Sequence, residues 1–197
     1  MKRKKTGYFI LVLSIMFCAG AIPILAGSAY ADENTSPQVG STFSVSTVTL
    51  SSGSHYDISQ YGINTQLLID KPGDYYLNGE SSHVFVTVDC GGVDLHLENG
   101  LKIDASAVTN VGRSAPAIDV RDNGGEVKIS SCAGANCTLW GYMSGSIRKN
   151  GTNTKLVLAT DDTSRSGSVN VMGAKWNNDA AIGSQENKST GNMVFES

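Results

Sequence analysis

The sequence predicts an all-β chain wound as a β-solenoid, and three observations carry that prediction. After the first 46 residues no window sustains helical periodicity. Short stretches instead alternate apolar and polar residues with period two and end at Gly, Asn, Asp or Ser. Two small sequence cells then recur along the chain, which is the mark of a repeat architecture.

The alternation is plainest in the middle of the chain. Val84, Val86 and Val88 point one way while Phe85 and Thr87 point the other, and Val93, Leu95 and Leu97 alternate with Asp94, His96 and Glu98. Asn99-Gly100 then forms a turn before Leu101 and Ile103. The first recurring cell is Gly-x-Φ-x-Φ, where Φ is apolar. It stands at Gly125–Ile129, Gly167–Val171 and Gly191–Phe195, and without its glycine at Thr154–Leu158. The second cell is a small residue before a lone isoleucine: Ala117-Ile118, Ser146-Ile147 and Ala181-Ile182. Each coil has too few inward residues to bury a core alone, but stacked coils bury a continuous column. A β-sandwich is the alternative. It would show about seven longer strands at regular turn spacing, whereas the polar inserts 106–115 and 161–166 are irregular.

The first 31 residues read as a bacterial-type signal peptide. Lys2, Arg3, Lys4 and Lys5 precede an apolar run from Tyr8 to Leu25, and Ala29-Tyr30-Ala31 fits a cleavage site. An uncleaved anchor is the alternative, but Gly20, Pro23 and Gly27 interrupt the run. Phe17 before Cys18 argues against a lipoprotein signal. Residues 32–46 are Ser/Thr-rich and are expected to be a mobile leader, with the β-helix domain over 47–197. The full chain has 15 basic and 18 acidic residues; removing the four basic residues of the signal leaves 11 against 18, a net charge of −7. That argues against a nucleic-acid partner and against docking on an anionic membrane. Cys90, Cys132 and Cys137 follow the signal, an odd number that closes no disulfide framework. Cys132 and Cys137 read either as a small loop staple or as buried fillers. His55, His83 and His96 show no metal-like spacing.

The order of phrases resembles secreted bacterial right-handed parallel β-helix proteins of the carbohydrate-binding domain-containing type. The phrases are Ile69–Gly79, Val93–Asp104, Pro116–Val120, Gly125–Ser130, Ala180–Gly183 and Gly191–Phe195. The resemblance spans residues 66–197 and implies a right-handed parallel β-helix, an extracellular or cell-surface location and polysaccharide as partner. Trp140 and Tyr142 depart from the family, which has small residues there. The family continues past the cell in which this chain stops. The resemblance therefore implies an incomplete domain whose C-terminal coil frays or associates with another chain.

A sugar-binding surface needs flat apolar faces beside polar groups that take hydroxyl hydrogen bonds. Trp140, Tyr142 and Trp176 are the candidate platform, with Asn177, Asn178, Asp179, Arg148 and Lys149 near them in sequence. The plainer reading is that Trp140 only covers a coil. Calcium needs several oxygen ligands, and Asp119 with Asp122, and Asp161 with Asp162, are candidate pairs; solvated corner residues are the alternative. A polysaccharide lyase would need a base beside Arg148, Lys149 or Arg165. No Ser/His/Asp or paired-carboxylate cluster accompanies them, so a non-catalytic binding module is expected. A structural surface or adhesin segment is the second reading.

Overall fold

A computed structural model describes residues 44–108, 115–142, 144–161, 167–173, 180–184 and 189–196. The expected signal peptide and all but the last residues of the expected leader lie outside them. Strand structure begins at Ser46, one residue ahead of the expected domain start.

Six successive coils follow. The first is β1 (Ser46–Thr49) and β2 (Ser54–Asp57), and the second is β3 (Thr65–Ile69), β4 (Gly73–Asn78) and β5 (Glu80–Ser81). The third is β6 (Val84–Val88), β7 (Val93–Leu97) and β8 (Lys102–Asp104), and the fourth is β9 (Ile118–Val120), β10 (Gly125–Ser131) and β11 (Asn136–Trp140). The fifth is β12 (Ile147–Lys149), β13 (Thr154–Thr160) and β14 (Ser168–Met172), and the sixth is β15 (Ile182–Gly183) and β16 (Met193–Phe195). Every strand pairs in parallel with its counterpart one coil away. The first sheet runs β1-β3-β6-β9-β12-β15, the second β2-β4-β7-β10-β13-β16 and the third β5-β8-β11-β14. This is a parallel β-helix, as expected.

The period-two alternation explains what is buried. On β10, Val127 and Ile129 are buried while Glu126 and Lys128 face out. Register then stacks like on like. Val48, Leu67, Val86, Ile118, Ile147 and Ile182 form one inward column of the first sheet. Ile118, Ile147 and Ile182 thus share a column, as their recurring cell predicts. Val93, Val127, Leu156 and Met193 form a column of the second sheet, and Ile103, Leu139 and Val171 one of the third. The three columns meet in one apolar core. No coil buries enough alone, so stability comes from stacking.

Lys149 falls where sequence reasoning did not put it, and the structure decides between the two readings of the cysteines. Lys149, expected beside a sugar platform, is buried at the inward position stacked on Val88 and Val120. Its ammonium donates to the carbonyls of Gly151, at 2.7 Å, and Thr190, which satisfy it inside the coil. Cys132 and Cys137 are free thiols rather than a staple. Cys137 is an inward filler on β11 whose Sγ donates to the Glu98 carbonyl. At the far edge of the second sheet, Met193 packs against the core, but Phe195 is 70 % exposed. Among the described residues no helix is long and apolar enough to cross a membrane.

Candidate functional site

Of the expected aromatic platform, Trp140 is on a different sheet from the expected arginine. Trp140 ends β11 on the outer side of the third sheet, half-buried, in register with Asp104 and Met172. Tyr142 lies two residues on, half-buried in the corner, its backbone N–H donating to the Ala115 carbonyl. Trp176 and Asn177, with Asn178, Asp179 and Arg165, lie outside the described residues. Arg148 lies on β12 of the first sheet, in register with Asp119 on β9. Its guanidinium makes a two-pronged ion pair with that carboxylate, Nε to Oδ1 and Nη2 to Oδ2 both at 2.8 Å. Arg148 therefore does not stand beside Trp140, because β-helix corners turn strands close in sequence onto different sheets.

Of the four aspartates expected as calcium ligands, the three described ones, Asp119, Asp122 and Asp161, have different partners. Asp119 is taken by Arg148. Asp122 caps a corner, its carboxylate accepting the backbone N–H groups of Thr152, Asn153 and Thr154 and the Asn153 side-chain amide. Those hydrogen bonds, Thr154 foremost, hold its pKa below the ordinary carboxylate value. Asp161 Oδ2 bonds His96 Nδ1 at 2.8 Å. Burial raises the Asp161 carboxyl, but hydrogen bonds from Ser130 and His96 outweigh it and hold the pKa below the ordinary value. Asp162 lies outside the described residues.

Two outward-facing constellations remain. On the first sheet, Thr87, Asp119 and Arg148 form one row across β6, β9 and β12. Beside it, Gln66 donates to Thr87 Oγ1 at 2.8 Å. Together with Phe85 and Arg121 they line a shallow groove of about 220 Å³. Phe85 is only 5 % exposed, covered by Ala105, Val108, Ala115 and Val45, so the groove is lined by hydrogen-bonding groups over an apolar floor.

On the second sheet, His55, Tyr76 and His96 occupy one row across β2, β4 and β7. Their rings stack at 4.4 and 4.5 Å, within 17° and 11° of parallel. Stacked face to face, they present edges to solvent, so the ladder is not the flat face a pyranose ring needs. His55 Nδ1 lies 2.8 Å from Glu98 Oε1. The adjoining row holds Asp74, Asp94 and Lys128, with the Lys128 ammonium 3.7 Å from Asp94 Oδ2. Near them Cys132 is pushed up to about 12, by burial first and then by Asp161, so it stays a thiol at neutral pH.

Sequence reasoning missed this ladder because it read histidine spacing along the chain. In a solenoid the relevant spacing is position within the coil. His55, Tyr76 and His96 each stand at the same step of a second-sheet strand, a position that the register of the stacked coils defines. No family model, curated protein or solved structure matches the chain.

Proposed function

We propose that this chain is a secreted, non-catalytic surface module that holds polysaccharide on the outer face of its first sheet. The observation that supports the reading is the groove where Gln66, Asp119, Arg121 and Arg148 gather planar amide, carboxylate and guanidinium groups above an apolar floor. A carboxylate has about four acceptor sites and a guanidinium about five N–H donors, so a two-pronged pair exhausts neither for the hydroxyls of a sugar. The Arg148–Asp119 pair pre-organises both side chains, so little rotamer entropy is lost on binding. The export pattern of residues 1–31 and the resemblance to secreted β-helix proteins point to the cell exterior, where polysaccharide is the abundant partner.

Retention on a panel of insoluble polysaccharides, with and without a calcium chelator, tests this. The native chain should be retained by at least one glycan regardless of chelator, and Arg148→Met and Gln66→Ala should each lose retention while Trp140→Ala keeps it. Absence of retention on every glycan, or equal retention of Arg148→Met, would overturn the groove. A second reading, a structural stalk without a glycan ligand, draws on the rung-to-rung ion pairs Lys155–Glu126, Lys128–Asp94 and Lys102–Glu80. These occupy charges on the exposed faces with neighbouring coils. Failure of every glycan to bind favours it.

A further inference from the structure

We propose that His96, Asp94 and Asp74 form a site for a divalent metal ion of the zinc type on the outer face of the second sheet, with Asp161 orienting the imidazole. Asp94 and His96 stand two residues apart on β7, so both leave the same face of the strand. Asp74 on β4 is in register with Asp94 and stacks beside it. The juxtaposition is a product of coil stacking, since the two aspartates stand twenty positions apart in the chain.

The chemistry of His96 sets the polarity of the site. Its Nδ1 lies 2.8 Å from Asp161 Oδ2. An ionised carboxylate only accepts, so Nδ1 carries the hydrogen, and Nε2 is the nitrogen left to bind a cation when the ring is neutral. This carboxylate–imidazole arrangement is the one that orients metal-binding histidines and raises their basicity. Tyr76, stacked 4.5 Å away and 11° from parallel, restrains the ring on one face.

Opposite Nε2 stand two carboxylate oxygens, Asp74 Oδ1 at 3.8 Å and Asp94 Oδ1 at 3.9 Å. Both distances are too long for hydrogen bonds. All three ligand atoms lie within 4.8 Å of one another. Three electron-rich atoms thus face a common gap, which a cation relieves. Of the three atoms, Asp94 Oδ1 is the least satisfied, although its side chain is 32 % exposed. It is buried without a hydrogen-bond partner among the described residues, while Lys128 approaches the other oxygen of the same carboxylate. Native proteins seldom leave a buried polar atom unmet.

The donor set selects the ion. One imidazole with two carboxylates suits zinc and its first-row neighbours, whereas calcium takes six to eight oxygens. Two ligands each about 2.1 Å from one ion stand at most about 4.2 Å apart, so both His96 distances already fit. Asp74, with its side chain 61 % exposed, has room to close the remaining gap to Asp94. A position facing solvent is left for water.

The full chain, stripped with a chelator, is titrated with zinc by calorimetry and with cobalt(II) by visible absorption. One zinc should bind per chain and displace cobalt, and calcium at equal concentration should not. Asp161→Asn should weaken zinc binding by roughly 10–100-fold and His96→Gln by more. Asp119→Asn, on another sheet, should leave zinc affinity unchanged. Asp74→Asn tests a ligand at an exposed position where the fold is not at stake, and it too should weaken binding. Failure of the native chain to take up zinc, displacement of cobalt by calcium, or native affinity in both Asp74→Asn and Asp94→Asn would overturn the site. The glycan groove lies on a different sheet, so its Arg148→Met test is read separately.

Discussion

Gly91→Ala probes the feature on which the coil stack depends most directly, the approach of one corner to the next. Gly91 lies between β6 and β7, and the equivalent corner one coil on is Gly124-Gly125. A Cβ at Gly91 would lie 2.3 Å from the Gly124 carbonyl oxygen and 2.8 Å from Gly125 Cα. Ordinary contact begins near 3.4 Å, and both obstructing atoms are backbone, so the corners must part by about 1 Å. The ladder bond from Gly92 N–H to the Glu126 carbonyl, 2.7 Å long, lies at that junction and would stretch. Overpacking costs about 1–3 kcal/mol, and a weakened ladder bond adds about 1 kcal/mol. The expected loss is therefore about 3 kcal/mol, which lowers Tm by roughly 6–12 °C in a domain of this size. Gly100→Ala is the comparison, because its Cβ meets nothing within 4 Å although its φ is +81°. It carries only the left-handed backbone cost of about 1–2 kcal/mol. Thermal unfolding followed by far-UV circular dichroism measures both. If Gly91→Ala melts within about 2 °C of the native chain, or Gly100→Ala costs more than Gly91→Ala, corner-on-corner packing does not limit stability.

Other expectations follow from the column, the corner cap and the thiols. Ile147→Ala should cost about 2–5 kcal/mol, because Ile147 is buried between Ile118 and Ile182, and Ile182→Ala should cost less because Ile182 is partly exposed; urea midpoints decide the order. Asp122 has a folded pKa below its unfolded value, so its contribution is complete above about pH 4 and disappears as pH falls through the lower folded value. Asp122→Asn should therefore reduce stability near neutrality and flatten its fall in acid, whereas an acid-unfolding curve parallel to the native one would contradict the cap. Cys132 should resist iodoacetamide at pH 8 in the folded chain, and replacing Cys132 and Cys137 by Ala should have the same effect in oxidising and reducing buffer; prompt alkylation of Cys132, or a loss confined to oxidising buffer, would contradict two free thiols of which Cys132 is half-buried with a raised pKa.

Much of the fold was legible because the forces that set it are local and periodic. Alternation assigned Val127 and Ile129 inward without knowledge of their partners, and the recurring Ile cell placed Ile118, Ile147 and Ile182 in one column. The candidate sites were not legible in the same way. Lys149 sits on the alternating face of its strand, yet its charge hid that it is buried and satisfied by carbonyls of its own corner and the next coil. Asp119, Asp122 and Asp161 looked alike as acids near turns. One pairs with Arg148, one caps a corner and one holds His96, because the partner of each comes from a different coil or corner.

The sequence by itself determined the strand class, the inward positions and the repetition, since backbone pleat and apolar burial act residue by residue. Tertiary structure alone decided the groups that meet on the outer faces. Coil lengths vary with the inserts, so linear spacing does not say that His55 lies on Tyr76, Asp74 beside Asp94, or Arg148 on Asp119. Parallel register between coils sets those meetings, and it exists only once the coils have stacked.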